Sequence, residues 1–425
     1  MKIVHLSTYD VTGGASRSAY RLHTGLRRLG ENSLMFVAYG DSNEPGVQVF
    51  KPSMNLPHRF LRLLKGAWIQ WNFTRYRHSL SRPTEAFSDD RTAFGACPMW
   101  SLPSCEIFNL HWIAGFIDYQ AFFSSLDPHM PIVWTLHDMN AFTGGCHYDY
   151  GCGKYTEQCG ACPQLGSNDK SDLSRRIWSR KRKSLGRIDS QRLHIVTPSR
   201  CLASQAKRSS LLGHFPVSVI PYGLDTDVFS PRDRSLARNA LELPQDAYII
   251  LFVAVSAATT RKGLTFLVKT LGKLAEMIDL HLISVGEERP NLDIQIPHLH
   301  LGHIDNDRLL SLVYSASDLF VIPSLQDNLP NTVLEAMACG TPVVAFDIGG
   351  IPDMIQPDFT GSLVPLGDTT TFCEKMIHLL KDKALRSEMS DNCRRVALQN
   401  YDLSIQARGY VRLYSQMLQN RLNLL

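Results

Sequence analysis

Asp327 and Glu335 stand eight positions apart, across a loop and the start of a helix-forming stretch that separates two apolar, strand-like runs. An ionised carboxylate accepts several hydrogen bonds from hydroxyl groups. One acid in a loop after a strand, with a second inside the following helix, therefore suits a polyhydroxyl ligand. The helix start adds backbone N–H groups and a positive dipole end, which suit phosphate. A sugar nucleotide carries both kinds of group. Two acids at this spacing in an arbitrary helix are usually solvated surface charges, but here they lie in the ordered stretch 323–345, in which Glu335 is followed by Ala336-Met337-Ala338-Cys339-Gly340-Thr341-Pro342-Val343-Val344.

Other residues could share that chemistry. Thr259-Thr260-Arg261-Lys262-Gly263 follows an apolar run and precedes a helix carrying Leu264, Leu267, Val268 and Leu271. A fixed cation there would neutralise charge building on a departing diphosphate, the task a divalent ion performs in other enzymes, so no catalytic metal is expected. The plain alternative for Arg261-Lys262 is a solvated helix start. Gly13-Gly14 follows the first strand, where a missing Cβ lets backbone approach a ligand; a simple chain-reversing turn is the alternative. It is not the Gly-x-Gly-x-x-Gly of dinucleotide enzymes. His137 ends an apolar strand and precedes Asp138, to which a structural core-edge histidine would bond. His111-Trp112, after the preceding strand, is an acceptor-side candidate. Cys146, Cys152, Cys159 and Cys162 lie in a glycine-rich loop over 143–166. Four thiolates at such spacing are able to close a structural zinc site, with reduced thiols or a redox disulfide as alternatives.

The acidic segment resembles the donor-binding signature of retaining glycosyltransferases of family 4, whose pattern is Glu-x7-Glu followed by Ala-Met-Ala-x-Gly-x-Pro-Val-Val. Asp327 replaces the first Glu. The resemblance implies an α/β GT-B fold, with two doubly wound Rossmann-like domains facing a central cleft. It implies that Glu335 accepts bonds from ribose hydroxyls, that Asp327 contacts the transferred sugar, and that Lys262 meets the diphosphate. Asn328, Leu329, Asn331 and Thr332 would complete the donor site; Pro330 has no N–H to give. Gly13 and Gly14 would face donor and acceptor, and His137 would lie at the cleft beside the reacting centre. The family's usual arginine is replaced by Ala257, with Arg261 as its potential substitute. Trp134-Thr135-Leu136-His137-Asp138 followed by the Cys-rich loop is similar to colanic-acid-type enzymes of exopolysaccharide assembly. The implied reaction is retaining hexosyl transfer from a nucleoside-diphosphate sugar to a saccharide acceptor, lipid-linked in that setting. A sugar-nucleotide epimerase of similar fold and a non-catalytic sugar-nucleotide-binding homologue are the competing readings.

The elements that must position these groups follow from periodicity. A chain of 425 residues exceeds one typical core. Apolar strands at 3–7, 34–38, 107–111, 132–137 and 194–198, and again at 248–255, 280–286, 299–301, 319–323 and 342–346, alternate with helical stretches. The first helix carries Ala19, Leu22, Leu26 and Leu29 on one face. The reading is an N-terminal domain over 1–215, a C-terminal nucleotide-sugar domain over 216–403 joined near 216–225, and a helix over 404–425 returning to the first domain. The remaining six of ten cysteines read as reduced core side chains.

No run of eighteen apolar residues and no signal peptide is present, which reads as cytoplasmic. A net charge of +4 is too small to argue for nucleic acid, and none is expected as a partner. Two basic stretches interleave aromatics: 58–78, with Arg59, Arg62, Lys65, Trp68, Trp71, Phe73, Arg75, Tyr76 and Arg77, and 175–187, with Trp178. Such composition fits an interfacial helix on anionic lipid at the inner face of the cell membrane; helices packed by their Trp residues are the alternative.

Overall fold

The computed structural model describes residues 1–40, 46–53, 55–76 and 86–422. Arg77 and His78 of the first basic stretch, and 423–425 at the end of the last helix, lie outside the described residues. Two compact units form, Met1–Pro221 with Gln406–Leu425, and Tyr222–Ile405.

The first unit is built on β1 (Lys2–Tyr9), β2 (Asn32–Tyr39), β3 (Val47–Val49), β4 (Ile107–Leu110), β5 (Ile132–Thr135), β6 (Leu193–Thr197) and β7 (Val217–Val219). They form one parallel sheet in the order β3-β2-β1-β4-β5-β6-β7. Its central strands are apolar runs without alternation because helices cover both faces. One face holds Phe36, Phe108, Phe116, Trp134 and Phe142. On the other, Ile3, Leu22, Leu26 and Val133 meet Tyr410 and Tyr414 of the helix Leu403–Leu422. Asn109 donates to the Tyr414 hydroxyl at 2.7 Å, and Thr135 pairs with Tyr410 at 2.9 Å, so the last helix is keyed to this sheet by polar as well as apolar contacts.

The second unit is a six-stranded parallel sheet: β8 (Tyr248–Val253), β9 (Leu280–Val285), β10 (His298–His300), β11 (Leu319–Ile322), β12 (Val343–Phe346) and β13 (Gly361–Val364), in the order β10-β9-β8-β11-β12-β13. In both sheets the strand order reverses beside the first strand, between β1 and β4 and between β8 and β11. The carboxyl ends of open parallel strands form ligand crevices at such switch points.

Several expectations are corrected. Strands β3, β7 and β13 were not expected; all three are short and lie at sheet edges, where little apolar signal is needed. Part of the 216–225 join is edge strand β7, paired to β6. Leu29 is exposed, because the first helix ends at Arg28. The stretch 175–187 is largely the packed helix Leu173–Leu185: Trp178 and Lys181 are buried, and Arg180 binds Asp89 and Asp90 at 2.9 and 2.5 Å. Its aromatic residue is therefore core, not a membrane-facing group.

Candidate functional site

In the second unit the loops after β8 and β11 meet at the switch point. Lys262 Nζ lies 2.8 Å, and Arg261 Nη1 3.2 Å, from Asp327 Oδ2. Backbone ties fix the register: Leu325 N–H donates to Arg261 O at 2.7 Å, and Arg261 Nη1 donates to Gln326 O at 3.0 Å. Burial alone would raise the Asp327 carboxyl, but Lys262 and then Arg261 outweigh it and hold the group below its ordinary range. Ala257, in the place of the family arginine, is buried, whereas Arg261 reaches the same carboxylate as Lys262.

Two glycines make this approach sterically feasible. Gly263 has φ +72°, and a Cβ there would stand 1.8 Å from Pro323 O; at Gly349, φ is +56° and a Cβ would stand 1.8 Å from Asp327 O. Gly349→Ala is therefore expected to destabilise the second unit by about 2 kcal/mol and displace the Asp327 loop. Urea unfolding checks the first effect; an unchanged midpoint would show that the loop yields without cost.

Glu335 lies on Asn331–Ala338, a helix whose Val333, Leu334, Ala336, Met337 and Ala338 are all buried in the core. It is the one charged side chain of this helix and is itself only 2 % exposed. Tyr314 donates its hydroxyl hydrogen to Glu335 Oε2 at 3.1 Å. A buried carboxylate with hydrogen-bond support stays competent to accept from a ligand. Gly340, in the left-handed region, and Pro342 end the helix and return the chain to β12. Asn328 and Leu329 are buried, and Asn331 and Thr332 form the half-buried first turn, where the positive dipole end lies.

In the first unit, Gly13 has φ +83° and caps the helix Gly14–Arg28, with both glycines exposed after β1. Thr8 N–H donates to Trp112 O at 2.8 Å, which joins the ends of β1 and β4. His137 lies just beyond β5, beside Asp138, whose charge opposes the effect of burial on the imidazole. Its Nε2 is 3.0 Å from His111 Nδ1, and His111 Nε2 is 2.9 Å from His5 Nδ1. Asp138 also binds His147 Nδ1 at 2.6 Å and accepts from Trp112 Nε1 at 3.1 Å. Each neutral imidazole has one donor and one acceptor, so the tautomers of His5, His111 and His137 are coupled along this chain.

Burial holds His5 and His111 well below the ordinary imidazole range and lowers His137 to about 4. As pH falls below about 6.5, the unfolded chain gains protons that the folded chain refuses, so stability is lost with acid; the His137 contribution levels off only below its folded value. The slope is about 1.4 kcal/mol per pH unit for each such histidine. Thermal melts at pH 7, 6 and 5 are expected to fall steadily, and less steeply in His111→Asn. Equal slopes in both proteins would rule out the buried chain as the cause.

Cys146, Cys152, Cys159 and Cys162 all line one cavity of about 20 Å³. Gly144 N–H donates to Cys159 Sγ at 3.1 Å, and burial pushes the Cys159 thiol up to about 11. The donor chemistry suits zinc, yet among the described residues no group of three or more His, Cys, Asp or Glu is arranged to hold a metal ion.

Sequence reasoning passed over His5, Gln326 and Tyr314. His5 was legible as a polar residue inside an apolar strand. Among the described residues the buried side-chain oxygen of Gln326 has no hydrogen-bond partner, and the role of Tyr314 depends on helix packing that no local pattern reveals.

Residues 247–382 match the family described as glycosyl transferases group 1. N-acetyl-alpha-D-glucosaminyl L-malate synthase of Bacillus anthracis is 28% identical over 209 residues, covering 47% of this chain and 54% of that protein. D-inositol 3-phosphate glycosyltransferase of Salinispora arenicola is 28% identical over 225 residues, covering 47% and 49%. The chain thus spans about half the length of these curated relatives. Among solved structures, sucrose-phosphate synthase from Thermosynechococcus elongatus aligns with TM-score 0.68 at 19% identity over 99% of this chain and 100% of that one. Anabaena HepE, in complex with UDP and glucose, aligns with TM-score 0.64 at 15% identity over 98% and 99%. The fold is that of GT-B glycosyltransferases, with two Rossmann-like parallel-sheet domains.

Proposed function

We propose that this chain, whose second unit carries the group 1 glycosyl transferase match, moves a hexose from a nucleoside-diphosphate sugar to a saccharide acceptor with retention of anomeric configuration. The observation that carries the reading is the meeting of Arg261, Lys262 and Asp327 at the β8/β11 switch point, on the loop that leads into the Glu335 helix. The two cations neutralise the diphosphate as it departs, the role a metal fills elsewhere. As they turn to phosphate, Asp327 is released to accept from sugar hydroxyls, and Glu335 accepts from the ribose. The acceptor hydroxyl attacks the anomeric carbon on the face the diphosphate leaves, and a phosphate oxygen takes its proton. HepE, solved with UDP-glucose, gives support by fold. A lipid-linked saccharide of exopolysaccharide assembly is the acceptor class proposed, which places the reaction at the inner face of the cell membrane.

Purified protein incubated with UDP- and GDP-hexoses should hydrolyse one donor slowly and transfer it when saccharide is added, giving a product of unchanged anomeric configuration by NMR. Conversion of the donor sugar to its epimer without acceptor would replace this reading with epimerisation. For the four-cysteine loop we propose a structural zinc. Elemental analysis should find about one zinc per chain; metal-free protein with all ten cysteines titratable as free thiols after denaturation would refute it.

A further inference from the structure

The helix Leu56–Thr74 buries a single residue, Ile69, yet exposes Leu56, Phe60, Leu61, Leu63, Leu64, Trp68 and Trp71. At about 100° per residue these seven fall within an arc of about 160°, directed away from Ile69 and Phe73. Those two face the body of the unit, where Phe73 meets the edge of Phe87 with ring centroids 6.3 Å apart and Lys65 binds Asp118 at 3.1 Å. The apolar arc therefore points outward from an anchored helix. Soluble surfaces rarely gather so many large apolar groups without a partner.

Charge identifies the partner. His58 and Arg59 lie on the same helix beside the arc, exposed Arg75 follows it, and the sequence holds no Asp or Glu from 45 to 84. Two copies packed face to face would oppose cation to cation with no acid supplied by either helix. An anionic bilayer supplies both what the arc lacks, hydrocarbon, and what its borders lack, negative charge; Trp side chains favour its interfacial zone. We propose that Leu56–Thr74 lies in the headgroup region of an anionic membrane and holds the first unit to its surface. This stands on exposure and charge alone and does not depend on the reaction proposed above.

Cosedimentation of the full chain with phosphatidylcholine vesicles, with and without phosphatidylglycerol, tests it. Binding is expected only with phosphatidylglycerol and should weaken with salt. The exposed triple variant Phe60→Ser, Leu64→Ser, Trp71→Ser should bind at least about tenfold more weakly, with its melting temperature and donor hydrolysis unchanged. The double variant Arg59→Glu, Arg75→Glu should show the same loss. Equal binding to both vesicle types, undiminished binding by the triple variant, or no vesicle binding with a lipid-free dimer that the triple variant dissolves would each overturn the proposal.

Discussion

Lys262→Met is expected to lower kcat by about a hundred- to a thousandfold, with a smaller rise in the donor KM and little change in melting temperature. The ammonium acts most strongly on charge that appears as the diphosphate leaves, and losing one fixed donor of this kind costs about 3–4 kcal/mol of transition-state stabilisation. The fold should tolerate the change because Asp327 keeps Arg261 at 3.2 Å. Steady-state kinetics beside a thermal melt check both halves. A loss confined to KM would show that Lys262 binds donor and transition state alike.

Glu335→Gln is expected to reduce kcat/KM for the donor by about thirty- to a hundredfold. Hydrogen bonds from ribose hydroxyls to a carboxylate are roughly twice as strong as those to a neutral amide. Gln retains an acceptor for the Tyr314 hydroxyl, so the core helix should remain folded. A Glu335→Gln enzyme with wild-type kinetics and stability would reduce Glu335 to a buried polar residue of structural importance only.

The fold was legible because its central strands are buried on both faces and read as uninterrupted apolar runs; Tyr248–Val253 and Leu280–Val285 needed no tertiary information. Short elements such as Val217–Val219 are created by pairing with a neighbour, which no local pattern records. At the site, Lys262, Asp327 and Glu335 were visible as charged residues set into apolar surroundings, and the structure adds that the first two touch. His137 shows the limit of adjacency. Its neighbour in sequence, Asp138, also bonds to His147, and His137 itself reaches His111 from the adjacent strand end. The two basic aromatic stretches were indistinguishable by composition, and only burial separates Trp178, in the core, from Trp71, at the surface.

The most direct test is a crystal structure of the protein soaked with UDP or GDP. Diphosphate density within hydrogen-bond reach of Lys262 and the first turn of Asn331–Ala338, with the ribose against Glu335, is the predicted result. Nucleotide bound elsewhere, with the β8 and β11 loops still closed on their own Lys262–Asp327 ion pair, would contradict the account.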